Sequence, residues 1–295
     1  MSPILIHLMH LHDVPSVWID GPRRVTVWSP AFAKASTSAK ASTSAKATVD
    51  KTADKSAGKP ADIESSNSGH WTLETGRRPL LILHDGQNLF DPDRAHRPGH
   101  TWQVAETVAK LIDAGRIPPI VIAGIDHAEE GRVLEMTPTE GDHPGAGQIH
   151  RYGRFVMEEL VPFIEAEYGL DTRTGRLGMG GSSLGGLATL AIAQQYPSRF
   201  DRLLVMSPAL WWDDAVILKR LRRQPLAPDT RVWLDIGLKE GRQAAVLVRR
   251  LRRLLTDQLD AGNVNGVEDP IGDHTEGRWA SRLPEALAWL FSPAS

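Results

Sequence analysis

Polar and apolar side chains alternate from Pro22 to Trp28 (Pro-Arg-Arg-Val-Thr-Val-Trp), and the β-branched residues among them predict a strand. Further on, the pattern changes to short continuous apolar runs separated by stretches with helical spacing. Pro79–Leu83 and Pro118–Ile125 are runs of the kind that suits strands buried on both faces, and Trp102–Ala114 between them has the spacing of a helix. Tyr152–Tyr168 predicts an amphipathic helix with Phe155, Val156, Leu160, Phe163 and Ile164 on one side. The remainder alternates: strand Leu177–Gly180, helix Leu187–Tyr196, strand Arg202–Met206, helix Ala215–Leu221, strand Arg231–Ile236, helix Ala244–Leu259 and a last helix near Leu283–Phe291. Strands that alternate with helices predict an α/β fold with a mostly parallel central sheet and helices on both faces. In open sheets of that kind, chemistry gathers at the carboxyl ends of the strands.

One segment breaks the pattern. Ala33–Ser38 reads Ala-Lys-Ala-Ser-Thr-Ser and Ala39–Ser44 repeats it letter for letter. From Ala31 to His70 only Phe32, Val49 and Ile63 offer large apolar surface beyond the alanines, too little to offset the entropy of ordering the segment. Residues 31 to 75 are therefore expected to be a mobile surface insertion in a single domain spanning 1–295. The six lysines against four acids between Ala31 and His70 would suit an anionic partner, but a solvated surface is the simpler expectation.

Composition narrows the function. With 295 residues and 41% hydrophobic content the chain can bury a substantial core. The 34 basic and 36 acidic residues nearly cancel, so electrostatic capture of a nucleic acid backbone is not expected. Arg249, Arg250, Arg252 and Arg253, interleaved with Leu247, Leu251 and Leu254, read as the solvated face of a surface helix. The absence of cysteine excludes a disulfide framework, a thiolate nucleophile and any zinc site built on Cys. No apolar run approaches the roughly 18 residues that cross a bilayer. Ile4–Met9 is too short and lacks the basic flank of a signal peptide, so a soluble, cytoplasmic protein without a membrane partner is expected. His7, His10 and His12 sit on an N-terminus expected to be mobile, which argues against a metal site there. Oligomeric state leaves no signal in the sequence.

The sharpest chemical signal is Gly181-Ser182-Ser183-Leu184-Gly185, a G-x-S-x-G between a predicted strand and a predicted helix. That is the setting of a nucleophile elbow, whose strained turn needs small residues two places either side of the serine. Ser183 has Gly181 and Gly185 there, whereas Ser182 would have Leu184. A glycine-rich phosphate-binding turn is the plainer alternative. A serine hydroxyl needs a base, and only one histidine, His274, follows Ser183 in the chain. It stands in Gly272-Asp273-His274-Thr275-Glu276, a loop ahead of the last helix. For the acid, Glu240 lies in the loop after the strand ending at Ile236; Asp235, inside that strand, is the second candidate, and Asp273 is too close to the histidine in sequence to face it. Oxyanion donors are expected from the amide of Leu184 and from that of Gln87, in the loop His84-Asp85-Gly86-Gln87-Asn88-Leu89-Phe90-Asp91. A divalent cation on Asp85 and Asp91 is a minor alternative for that loop.

These residues resemble the esterase D and enterochelin-esterase-like family of the α/β-hydrolase fold, which also includes acetylxylan and feruloyl esterases. The likeness rests on Arg24–Trp28, His84–Asp91, Arg132 with Glu135, Gly181–Gly186, Ser207-Pro208-Ala209-Leu210-Trp211-Trp212, Gly237–Glu240 and His274-x-Glu276-x-x-Trp279. The resemblance implies Ser183 as nucleophile, His274 as base and Glu240 as acid, with the Gln87 and Leu184 amides as oxyanion donors. It also implies a serine carboxylic-ester hydrolase working through an acyl-enzyme on a small or medium ester, with no cofactor and no large lid domain. Acyl transfer to a sugar or other alcohol, with the same triad, is the alternative. Trp102, Trp211, Trp212 and Trp279 lie in or beside the motif-bearing loops, where they line a substrate pocket or fill core. Arg132 either holds an anionic group of the substrate or pairs with Glu135, and the structural pairing is the favoured expectation.

Overall fold

The computed structural model describes residues 6–31, 78–173 and 177–292. Residues 32–75 of the expected insertion lie outside the described residues. Among the described residues, nine strands form the core of the architecture: β1 (Ile6–Val14), β2 (Arg23–Ala31), β3 (Leu80–His84), β4 (Val121–Ile125), β5 (Leu177–Ser183), β6 (Arg202–Pro208), β7 (Arg231–Gly237), β8 (Val264–Asn265) and β9 (Glu268–Asp269). Their order is β1-β2-β4-β3-β5-β6-β7-β8, with β9 also pairing with β7. β1, β2 and β4 are antiparallel neighbours, and every other pairing is parallel.

Among the described residues, eight α-helices accompany the strands: α1 (Val104–Asp113), α2 (Arg132–Met136), α3 (Ile149–Arg154), α4 (Val161–Tyr168), α5 (Leu184–Gln195), α6 (Trp212–Arg223), α7 (Arg242–Gln258) and α8 (Glu276–Leu290). Successive strand residues point to opposite faces, so each apolar run feeds two cores. Leu80 and Ile82 of β3 pack with α3, α4 and α5, whereas Leu81 and Leu83 pack with α1 and α8. The expected helix-covered, mostly parallel sheet is therefore present. Helix α5 is buried from Leu184 to Gln194, which is why its sequence is apolar on every side rather than along one stripe.

Three local expectations are corrected. The N-terminus is not loose: Ile6–Val14 pairs residue for residue with Arg23–Ala31 as an edge strand. The predicted helix at Tyr152–Tyr168 starts at Ile149 and carries a π-helical stretch at Phe155–Leu160 between α3 and α4. The last helix begins at Glu276, one and a half turns or more before Leu283, and holds Pro284 in its interior.

The chain runs from β3 outward to β4 on one side and returns to place β5 on the other. The carboxyl ends of β3 and β5 therefore diverge at the point where the order reverses, the crevice position of open α/β sheets. His84, Asp85 and Ser183 lie at that crevice.

Candidate active site

Ser183 ends β5 and caps α5 with φ 56° and ψ −121°, a backbone conformation that a residue with a side chain adopts only under strain. The turn is tight enough that a Cβ on Gly181 would stand 3.0 Å from the Gly185 backbone. Small residues at those two places are what lets strand and helix meet here. The amide of Leu184 opens α5, where the first turn leaves N–H groups without helical partners. Ser183 and His274 line one cavity of about 640 Å³, within the range of roughly 300–1,000 Å³ usual for ligand sites. Among the described residues, no hydrogen bond joins the two side chains.

Glu240 lies in a 3₁₀ turn (Leu238–Glu240) directly after β7. Its Oε2 receives His274 Nδ1 at 2.7 Å, and its Oε1 receives the Ser207 hydroxyl at 2.6 Å and the Gly237 amide at 2.9 Å. Burial pushes this carboxyl up, but the donors from His274, Ser207 and Gly237 outweigh it and hold Glu240 below the ordinary glutamate range. Asp235 does not face the histidine. It is fully buried inside β7, accepting Trp233 Nε1 at 2.9 Å and paired with Arg282 at 3.1 Å. Burial pushes its carboxyl up to about 6.

The turn after β3 frames the other wall. Asp85 adopts the left-handed conformation (φ 58°, ψ 49°) and starts a 3₁₀ turn over Gly86–Asn88 that carries Gln87. Gly86 is pressed on β4, where a Cβ would meet the Gly124 carbonyl carbon at 2.5 Å. The Gln87 side chain accepts the His127 amide at 3.3 Å and faces a second groove beside the first, which shares His127 and Glu129 with it. Asp91 turns away to its own loop and accepts the Asp93 amide. Among the described residues, no group of three or more His, Asp or Glu side chains is arranged to hold a metal ion.

Arg132 grips Asp85, not Glu135. Its Nε and Nη2 donate to the two Asp85 oxygens at 2.6 and 2.8 Å, while Glu135 takes a matching fork from Arg23 at 2.8 and 2.8 Å. Three residues apart at the start of a short helix, Arg132 and Glu135 had looked like neighbours; each instead reaches across to a different element. Burial pushes the Asp85 carboxyl up, and the Arg132 fork more than offsets it, leaving Asp85 below the usual range. Arg132 still lines the cavity, as do His96, Arg97, His127 and Glu130.

Of the four tryptophans, only Trp279 lines the cavity, with its ring edge-to-face to His274 at 4.9 Å. Trp102 is buried behind it with ring centroids 5.8 Å apart. Trp212 is buried against His143 and donates to Thr139, and Trp211 is exposed at a separate groove between α6 and α7. Core filling explains Trp102 and Trp212. Ser207 and Arg282, both buried at the back of Glu240, had not been singled out for a role; the Ser207-Pro208 motif and its place at a strand end were the available signal.

A family model described as "Putative esterase" matches residues 67–290, which include every element from β3 to α8. The chain belongs to this esterase family. Ester hydrolysis is the chemistry that membership assigns to it. The esterase is 26% identical over 238 residues to the Bacillus subtilis protein YbbA, itself uncharacterized, covering 75% of this chain and 88% of that one. It is 24% identical over 241 residues to an iron(III) enterobactin esterase of Escherichia coli, covering 76% of this chain but only 53% of that enzyme, so it spans about half of the relative's length. The solved BES protein of Bacillus cereus superposes with a TM-score of 0.69 at 18% identity, over 100% of this chain and 98% of that one. The enterobactin esterase of Shigella flexneri gives 0.64 at 19% identity, over 98% and 60%. The fold of this esterase is accordingly the α/β-hydrolase fold. Among the described residues, no helix is long and apolar enough to cross a membrane.

Proposed function

We propose that the esterase cleaves its ester through a Ser183–His274–Glu240 triad and a covalent acyl-enzyme. The observation that carries this reading is the Glu240–His274 bond of 2.7 Å beside a strained serine that shares the same cavity. With Glu240 ionised and able only to accept, His274 keeps its proton on Nδ1 and presents Nε2 as base. Ser183 Oγ attacks the ester carbonyl as Nε2 takes its proton. The amides of Leu184 and Gln87 receive the charge that develops on the carbonyl oxygen. The imidazolium then gives its proton to the departing alcohol, and the same histidine activates water to release the acid. Ser183 and His274 line the same cavity, so the imidazole and the hydroxyl act on one bound ester.

For the substrate, the names of several relatives point to siderophore esters. The E. coli and Emericella nidulans relatives are named as enterobactin esterases. His96, Arg97, His127 and Arg132 line the cavity and offer hydrogen-bond donors to the polar groups of such an ester.

Ser183→Ala is expected to abolish hydrolysis of a short-chain p-nitrophenyl ester with its circular dichroism unchanged. A fluorophosphonate is expected to label Ser183 alone, as read by peptide mass spectrometry. Retention of a tenth or more of the activity in the alanine variant would overturn the assignment. A panel spanning siderophore lactones, acetylated sugars and simple alkyl esters then ranks the substrate classes by kcat/KM.

A further inference from the structure

Behind Glu240 lies a buried polar chain that the reaction scheme above does not use. Ser207 closes β6, is 2% exposed, and holds φ at 41°, a left-handed value that only glycine adopts freely. Its hydroxyl is saturated. Oγ accepts Trp279 Nε1 at 3.1 Å and Arg282 Nη2 at 2.9 Å, and it stands 2.6 Å from Glu240 Oε1. An indole N–H and a guanidinium can only donate, so the two lone pairs of the hydroxyl are both taken. Its one proton is left a single direction, toward Glu240.

Arg282, on α8, is in turn fixed. Its Nη2 is also 3.1 Å from Asp235 Oδ1 of β7, and its Nη1 is 3.4 Å from Asp269 Oδ2 of β9. Its side chain is 4% exposed, so water does not compete for these contacts. Asp235, paired with Arg282, then Ser207 and Glu240 are buried in sequence behind the half-exposed imidazole of His274.

We propose that Ser207, oriented by Arg282 and Trp279, is a positioning residue of the esterase: its proton locks Glu240 as an acceptor and so fixes the proton of His274 on Nδ1. The inference rests on the triad reading and adds a residue to it. Were Glu240 to take up a proton on Oε1, that proton would face the Ser207 hydroxyl, which has no lone pair left to receive it. The charged and titratable groups that bear on Glu240 are His274 directly, Arg282 through Ser207, and Asp235 and Asp269 through Arg282; Lys239 lies in the same turn.

Two variants separate this role from a structural one. Ser207→Ala removes the hydroxyl, and Ser207→Gly removes it while relieving the left-handed backbone, so the second keeps the fold if the first does not. Both are expected to lose about tenfold or more in kcat/KM, the scale of one hydrogen bond to a charged group, with KM nearly unchanged. In both, the acid limb of the kcat/KM profile is expected to move to higher pH, because a carboxylate that has lost a donor holds a proton on the facing imidazole more tightly. In proton NMR the hydrogen-bonded His274 Nδ1–H resonance is expected to shift or broaden. The proposal falls if a folded variant keeps the wild-type pH profile and that resonance, whatever the size of its rate loss. Ser183→Ala, assayed alongside, tells the two readings apart: an inactive Ser183→Ala with an unaltered Ser207→Gly profile removes only the positioning role, whereas an active Ser183→Ala removes the triad itself.

Discussion

Arg132 and Asp85 form a two-pronged bond, 2.6 and 2.8 Å, that ties helix α2 to the turn after β3 across 47 residues of chain. Asp85 is 5% exposed, so its charge depends on that partner. Arg132→Ala is expected to lower unfolding stability by about 3 kcal/mol, because it leaves a buried carboxylate alone. Arg132→Lys recovers only part, since an ammonium cannot span both oxygens. The double variant with Asp85→Asn should be more stable than Arg132→Ala by itself. Urea unfolding of the four proteins checks the order, and an Arg132→Ala chain as stable as wild type dismisses the buried pair as a stabiliser.

Glu240→Gln tests the acid while leaving the shape of the site. The amide can present oxygen to Ser207 and Gly237 only by turning its NH₂ toward His274, which forces the imidazole proton onto Nε2 and removes the base. A loss in kcat of about 10³–10⁴-fold is expected, the scale seen when a triad histidine is held in the wrong tautomer. Asp235→Asn is expected to lose far less, because Asp235 touches Trp233 and Arg282 and not His274. Equal losses in the two variants would return Asp235 to candidacy.

What could be read in advance depended on how local the information was. The elbow and the Glu240 turn were legible because each is a short motif fixed to the end of a buried strand, and a strand run is visible in a few residues. β1 was not legible. Leu8, Met9 and Leu11 are all exposed, and only Val14 and the His12–Tyr168 contact turn inward, so no regular buried face marks it; among the described residues its strand partner is β2. Arg132 was read against Glu135 because sequence shows neighbours three residues apart and hides a partner 47 away. Tryptophans in motif loops looked alike, yet burial put Trp102 in the core, Trp279 at the cavity and Trp211 in solvent. The role of Ser207 escaped notice for the same reason: its three partners, Glu240 in the turn after β7 and Trp279 and Arg282 on α8, are all distant in the chain.

His84 gives a pH dependence whose sign can be stated. It is fully buried at the end of β3, with Nδ1 2.9 Å from the Tyr152 hydroxyl, and burial lowers its pKa from 6.5 to about 4. The unfolded chain therefore gains a proton at this residue below pH 6.5 while the folded chain does not until about 4. Stability from neutral His84 is complete above pH 6.5 and is lost as the pH falls toward 4. Asp126 and Asp235, both pushed up to about 6 by burial, act in the opposite direction over an overlapping range, so total stability does not isolate the effect. The difference between wild type and His84→Gln does. It is expected to move against the wild type by about 1 kcal/mol per pH unit between 6.5 and 4. Urea unfolding at half-unit steps reads it, and a constant difference across that window would mean that His84 is already charged in the folded state.

Gly86 and Gly115 separate a glycine needed for space at the site from one needed for backbone freedom elsewhere. At Gly86 an added Cβ would come within 2.5 Å of the Gly124 carbonyl carbon and 2.9 Å of Asp126, so β4 and the turn carrying Gln87 must part. Gly86→Ala therefore displaces the Gln87 amide from the carbonyl oxygen it is proposed to hold, and a loss of about 10²–10³-fold in kcat is expected, the scale for one oxyanion donor. Gly115 ends the turn after α1 with φ 65° and nothing within 4 Å of an added Cβ. Gly115→Ala meets no atom and pays only for its left-handed backbone, about 1 kcal/mol of stability, with kcat and KM as in wild type. Steady-state kinetics on both variants, at a temperature where each is folded, decides the matter. A Gly86→Ala enzyme with wild-type kcat would show that the turn after β3 supplies no donor to the reaction, and the second oxyanion contact would have to come from elsewhere in the crevice.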